Sequence, residues 1–471
     1  MKLKRIFALL MAVCMVLTFS ACSKEKETGK KEVGGFEVVD PYTNDEVVDL
    51  DGYEFTIASG WLENDMKISE AGRIFKKRIE EVEKAYNCKI SIVDGGDITT
   101  QILAGEKVAD WIDTYTSSAW SSIAGEYFRP YDTIEGIDVK DSRWNKGYVG
   151  LTQYEGLSYG VNFMKPAEVR AGVFFNKTLI KKYGIKDNLY DLVRDKKWNF
   201  DKLREIAKAC TKDTNGDGKT DVYGILFFDE YNAGQSFINA NGSTLASVEG
   251  GRVIENLTDK KTLNAMNFLY DLCNVDKSVY INDAWRSAAT YGSYAPSQTD
   301  RANMFVNNKA AFYIGDTWIC NQLIKPMNKQ IEYGFLPLPL GPDATEYVSP
   351  SHGARNFFVT VTNKDLDKAV PIMNALALPP EGYEGDAWWE EIIMNDYFQD
   401  GDTDSLEMYK LCLENMTYDH IYTDGTSDMY GEFVTQCVLY PLYFLQGSVS
   451  STLSSMQGVP TDRLGALFGF E

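Results

Sequence analysis

The sequence predicts an α/β protein built from more than one lobe. Three observations lead there. Strand and helix patterns alternate from Asp51 onward, the alternation restarts near Ala171, and about 450 residues remain after the leader, enough for two or more cores. Tyr53, Phe55 and Ile57 alternate with polar residues, the period of a half-buried strand. The segment ASGWLENDM interrupts it. From Ser69, Phe75, Ile79, Val82 and Tyr86 recur at helical spacing between charged residues. A second strand falls at 89–93, a short helix near 100–104 and a third strand at 111–115. Strand, helix, strand, helix, strand argues for parallel pairing.

The restart has the same grammar. Ala171–Phe175 is an apolar run followed by a helix at Lys177–Tyr183. Leu203, Ile206, Ala207 and Cys210 mark an amphipathic helix, and Tyr223–Phe228 and Ala310–Ile314 read as buried strands. Prolines hold 335–339 extended. Phe357–Thr362 is a strand, Asp365–Ala377 a helix, and the stretch from Ser405 reads as several helices. There are no repeats.

The N-terminus sets the compartment. Lys2, Lys4 and Arg5 precede an apolar run from Ile6 to Phe19, which fits a signal-peptide core and is short for a membrane span. Ser20, Ala21 and Cys22 then resemble a bacterial lipobox, in which the cysteine thiol is acylated. The following SKEKETGKKEVGG has no apolar period and reads as a tether over 22–50. The expectation is a lipid-anchored, extracytoplasmic monomer with a leader at 1–21. Losing the leader removes three basic residues and no acidic ones, so the formal charge goes from −21 to −24. Such a surface repels nucleic acid and anionic lipid. Cys88, Cys210, Cys273, Cys320, Cys412 and Cys437 form no CxxC pair, and their spacing assigns no disulfides. Cys210 lies on an apolar helix face, where a buried free thiol fits as well.

The loop TKDTNGDGKTDVYGI, residues 211–225, invites three readings. A phosphate loop needs glycine where Asp213 stands, so that reading fails. A calcium loop places Asp213, Asn215 and Asp217 at positions 1, 3 and 5. Gly218 then takes the sharp turn, the Lys219 carbonyl position 7 and Asp221 position 9. Gly224 occupies position 12, where a bidentate Glu is expected. The third reading is a turn closed by side-chain-to-backbone bonds. Structural calcium and a plain turn both remain open, and neither carries catalysis.

Four strings then fall in one order. Tyr159-Gly160-Val161-Asn162-Phe163 and the run from Gly172 to Ile185 resemble "YGVP…LFYNKDLFKKAGI". Residues 197–203 resemble a "TWDEL" helix start, 307–318 resemble "GKAAMYIGGSW", and 333–341 resemble "GVAPLPKG". On these the chain resembles the family 1 extracellular solute-binding proteins of ABC importers, of maltose-binding type. Asn162 stands where the family has Pro, and Ala109 where it often has Pro before Asp110. The resemblance implies a periplasmic-binding-protein-like type II fold, with two α/β lobes joined by a hinge and ligand held between them. One lobe would be 51–167 plus 338–390 and the other 172–333 plus 391–471. The crossings would lie at Val169–Ala171 and Phe335–Leu336. The implied partners are a carbohydrate, such as an oligosaccharide, and a membrane permease.

Sugars present apolar C–H faces and a hydroxyl rim, so aromatic and polar residues at strand ends are the candidates. Trp61 follows the first strand, and Tyr115, Ser117 and Trp120 the third. Asp229 and Tyr231 follow the strand at 223–228. Trp318 follows the strand at 310–314 and matches the family's stacking tryptophan. Arg355, beside His352, lies after the proline-rich return. Asp110 reads as a turn residue, and Trp144, Trp198, Trp388 and Trp389 as packing or surface residues. The alternative class is a surface glycosidase, which needs two carboxylates about 5–10 Å apart. With 68 acidic residues, composition leaves that open, although HExxH and GxSxG motifs are absent and only two His are present. A receptor for a peptide or metal is a third possibility.

Overall fold

A computed structural model describes residues 32–33, 36–37 and 47–470, apart from 166, 289–294, 352, 400 and 424–427, and omits the side chains of 230–232 and 288. The leader, Cys22, most of the tether and His352 lie outside the described residues.

The first lobe is built on β1 (Tyr53–Ala58), α1 (Leu62–Ile68), α2 (Glu70–Tyr86), β2 (Cys88–Val93), β3 (Trp111–Tyr115), α3 (Thr116–Ala124) and β4 (Phe128–Arg129). The second holds β5 (Gly172–Asn176), α4 (Phe200–Cys210), β6 (Tyr223–Phe227), β7 (Ala310–Gly315) and β8 (Tyr333–Leu336). The chain then returns to the first lobe as β9 (Arg355–Thr360) and α5 (Leu366–Leu376). The first sheet runs β2-β1-β3-β9-β4, with β1 parallel to β2 and β3, and β9 antiparallel to β3 and β4. The second runs β6-β7-β5-β8, and β5 is antiparallel to both neighbours.

Local chemistry explains the elements. Ser69 caps α2 by accepting from Gly72 N at 2.9 Å, and Phe75, Ile79, Val82 and Tyr86 are buried along one face. Asn176 and Asn199 cap the helices that follow β5 and open α4 in the same way. Helix α1 falls where a break was expected. It buries only Leu62, so it leaves no apolar period to detect. Its turn into α2 depends on Gly72, since a Cβ there would sit 2.1 Å from the Asp65 carbonyl oxygen. The first core stacks Trp111, Phe163 and Phe357, with ring centroids 5.3 and 4.9 Å apart about Trp111. The six cysteines among the described residues are free, five of them buried. No helix among the described residues is long and apolar enough to cross a membrane.

The chain leaves the first lobe through Ala167–Ala171, which spans the expected Val169–Ala171. Val169 O accepts from Thr317 N at 3.0 Å, and Ala167 O accepts from the Tyr409 hydroxyl. The second crossing comes later than expected. Phe335 and Leu336 pair with Phe174 and Val173 inside the second sheet. Leu340 N donates to Trp198 O and Gly341 N to Ala240 O, holding that stretch on the second lobe. The return runs through 349–354, where Ser349 Oγ donates to Ala171 O at 3.2 Å and Thr116 N to Ala354 O at 2.8 Å. The prolines extend the chain without marking where it changes lobe.

Trp120 is a correction. It is 1% exposed, and its ring packs against Tyr154, Tyr418, His420 and Phe468. The helical turn of α3 rotates it away from the strand end and into a core shared with the C-terminal segment, whose last helix is α6 (Val459–Phe468). Asp110 is structural as read, accepting from Tyr53 Oη at 2.7 Å and Thr56 N at 2.9 Å.

In the 211–225 loop the carboxylates turn inward. Asp213 accepts from Gly216 N at 2.7 Å and Gly218 N at 2.8 Å, and those amides hold its pKa below the usual range. Asp217 accepts from Lys219 N, and Asp221 from the amide and hydroxyl of Thr214, while Asn215 reaches both Asp217 and Asp221. Among the described residues no three His, Cys, Asp or Glu converge as metal ligands.

Two outcomes follow from this packing. Trp120→Ala lowers unfolding stability in urea by about 3–5 kcal/mol, the range for an emptied aromatic core site. Asp213→Ala lowers the melting temperature in EDTA by releasing the loop amides. A further rise on adding calcium, seen only in the unsubstituted chain, identifies a calcium loop, and identical curves with and without calcium identify a turn.

Candidate ligand cleft

The first lobe supplies one wall from three strand ends. Ser59, just past β1, donates to Asp113 Oδ2 at 2.7 Å and accepts from the amides of Trp61 and Leu62 at 3.1 and 3.0 Å. It thereby ties β3 to the start of α1 and fixes Trp61 in the connecting turn. Trp61 is 37% exposed. Its ring meets Tyr115 edge-on at 4.8 Å, and the Arg355 guanidinium lies 5.4 Å over it. Arg355 stands opposite Tyr115 in the β3–β9 register. Its Nη2 donates to Asp65 at 2.7 Å, and its Nη1 lies 3.5 Å from Asp113. Burial raises the Asp113 carboxyl, against the opposing pull of Arg355.

The crossing supplies the floor. Arg170 pairs with Glu168 at 2.6 Å and with Asp316 at 3.5 Å. A Cβ on Gly353 of the return crossing would stand 3.5 Å from its guanidinium, so the two crossings run side by side there. The charge of Glu168 acts on Arg170, Arg355 and Asp316 alike.

The second lobe supplies the other wall. Asp316 follows β7, and burial raises its carboxyl to about 7. Trp318 is half-buried, its ring set edge-on to Phe228 at 5.3 Å. Asp229, half-buried after β6, is close enough to act on Asp316.

The structure thus gathers Trp61, Tyr115 and Arg355 into one contact, and sets Asp229 and Trp318 at strand ends of the other lobe. Ser117 is half-buried on α3 beyond Tyr115. Trp120 leaves the set, and the Tyr231 side chain lies outside the described residues. Sequence reasoning passed over Ser59, Asp65, Asp113, Glu168, Arg170 and Asp316. The only signal for Arg170 was its place in the expected first crossing, which Glu168 immediately precedes. A cavity of about 400 Å³ opens elsewhere on the first lobe, beside α2 and Pro379. Its Arg78, Arg143 and Lys165 are engaged by Ala375 O, Asp141 and Asp386, and it includes none of the cleft residues.

Comparison with known proteins agrees with this architecture. Among curated proteins, none matches the chain by sequence. UspC of M. tuberculosis superposes with a TM-score of 0.62 at 14% identity, covering 87% of this chain and 100% of UspC. The GacH receptor of Streptomyces glaucescens, solved unliganded and with acarbose, gives 0.55 at 14%, covering 89% and 100%. MalE from Bdellovibrio bacteriovorus, bound to maltotriose, gives 0.52 at 15%, covering 88% and 99%. At these identities the likeness establishes the fold. The family described as bacterial extracellular solute-binding protein matches residues 67–382, from the end of α1 past α5 and across both crossings. The chain belongs to that family.

Proposed function

We propose that this solute-binding protein is the lipid-anchored receptor of an ABC importer. It captures a carbohydrate between its lobes and passes it, unaltered, to a membrane permease. The observation that carries the reading is the exposed Trp61 indole, braced by Tyr115 and Arg355 at the strand ends, with Trp318 at a strand end of the other lobe. Indole faces cover the C–H faces of sugar rings, and the surrounding carboxylates and guanidinium groups suit the hydroxyl rim. GacH and MalE, which share the fold, were solved with acarbose and maltotriose. The lobes are preformed, so closing them about the crossings orders little new chain. The protein acts as a monomeric binder rather than a hydrolase.

A thermal-shift screen over a glycan panel tests this. Ligand bound only by the folded state raises stability by RT ln(1 + [L]/Kd), about 2.7 kcal/mol at a hundredfold excess. The glycan that shifts the curve is recovered intact by chromatography, whereas cleavage products would make the protein an enzyme. Trp61→Ala and Trp318→Ala each weaken binding by about 2 kcal/mol, as truncated aromatic anchors do at other interfaces. Trp61→Ala leaves the unliganded melting temperature nearly unchanged, because its ring is already partly in water. Loss of unliganded stability with affinity preserved would make either residue a packing residue.

Anchoring is tested separately. Cys22→Ser yields protein that is unprocessed or released from membranes. A variant that stays membrane-bound with the same mature N-terminus removes the lipid from the proposal.

A further inference from the structure

Asp316 is 6% exposed, and its Oδ1 is buried with no hydrogen-bond partner. Among the described residues no other carboxylate oxygen is left so. The Nε of Arg170, on the ion-paired neighbour 3.5 Å away, is also buried without an acceptor. One pair at the cleft floor therefore holds an unused acceptor and an unused donor. A buried polar atom without a partner is costly, and such atoms are rare in folded proteins.

The surrounding charge narrows what fits. Asp65, Asp113, Glu168 and Asp316 gather about Arg355 and Arg170. Once Asp316 ionises, four carboxylates stand against these two guanidinium groups and leave their surroundings negative. An anionic ligand would add like charge to a site that already holds Asp316 largely out of water.

We propose that Asp316 determines specificity. Its Oδ1 accepts from a hydroxyl of an uncharged sugar, Arg170 donates to the neighbouring hydroxyl, and the excess of carboxylates rejects acidic sugars. This rests on the carbohydrate reading above. Opening about the crossings admits the ligand, and closing seals the acceptor with its donor in place.

The pH dependence has a definite sign. Desolvation raises the free carboxyl to about 7, with Arg170 opposing and Asp229 and Glu168 adding to the rise. A hydrogen bond accepted by the ionised form is stronger than one accepted by the neutral acid. Affinity for a neutral sugar therefore climbs between pH 5 and 8. In the unliganded protein the raised carboxyl retains a proton that the unfolded chain has lost. Stability from this group accordingly falls as pH rises from about 4 toward 7. Asp316→Asn raises the melting temperature at pH 8 and changes it little at pH 4.

The test is calorimetric titration of the purified chain with maltotriose, mannotriose and cellotriose as neutral probes and trigalacturonate as the acidic one. At least one neutral trisaccharide binds, and trigalacturonate binds at least a hundredfold more weakly. Asp316→Asn weakens the neutral ligand about tenfold at pH 8 and flattens the pH profile. A merely structural residue would not remove that profile, and the profile of the unsubstituted protein stands as evidence even where the variant folds poorly. Trigalacturonate binding as tightly as the neutral probes overturns the charge exclusion and leaves the carbohydrate reading standing. A variant with unchanged affinity and unchanged pH profile overturns the role of Asp316. If no probe of either kind binds, the carbohydrate reading falls, and this inference with it.

Discussion

The pairing of β9 with β3 is the contact on which the first lobe and the cleft both depend. Residues 355–358 lie antiparallel to 112–115, although the whole second sheet separates them in the chain. The pairing delivers Phe357 and Val359 to the first core and sets Arg355 across from Tyr115. Without it, the inner edge of β3 would be an unpaired strand, and Asp113 would lose the guanidinium that offsets its burial. Closing so long a loop costs entropy that is recovered only when the strand is in place. The first lobe is therefore completed by a segment made after all four strands of the second sheet.

The cleft is an electrostatic arrangement as much as an aromatic one. Arg355 lies over Trp61 while its charge is held by Asp65 and Asp113, so one side chain fixes the ring and pairs the carboxylates. Arg170 does comparable work at the floor, between Glu168 of the crossing and Asp316 of the second lobe. Each wall carries acidic groups around one cation, and Glu168 acts on both cations. The chain's net acidity is therefore continued inside the cleft.

Much of this was legible in the sequence, for reasons particular to each element. Strand β1 and helix α2 announce themselves through periods of two and 3.6, and the structure matches them closely. Trp61 and Arg355 were found because small and polar residues around them break the apolar pattern at strand ends. Trp120 follows a strand as Tyr115 does, but it lies a full turn into α3, and the rotation that buries it is not visible as loop or strand pattern. The second crossing was misplaced because prolines at 337 and 339 extend the chain, while the hydrogen bonds of Leu340 and Gly341 decide its lobe. Asp316 gave no sign, and Arg170 only its place in the first crossing. Single charges in short non-periodic segments look like surface until tertiary structure brings them together.

The seam around Trp120 has a consequence for how the lobes can move. Its indole is walled on one side by Ala119 and Ile123 of α3 and on the other by Tyr418, His420 and Phe468 of the C-terminal segment. That segment also reaches the second lobe, where Glu255 accepts from Gly458 N. The C-terminal residues thus bind the two bodies together beside the return crossing, where Met416 and Thr417 pair with Ser349 and Pro350, as a strap does beside a hinge. Separation along this line has to uncover the indole or carry the strap with one lobe. Emission from that tryptophan would then register which body the strap follows, making it an intrinsic optical gauge of the motion.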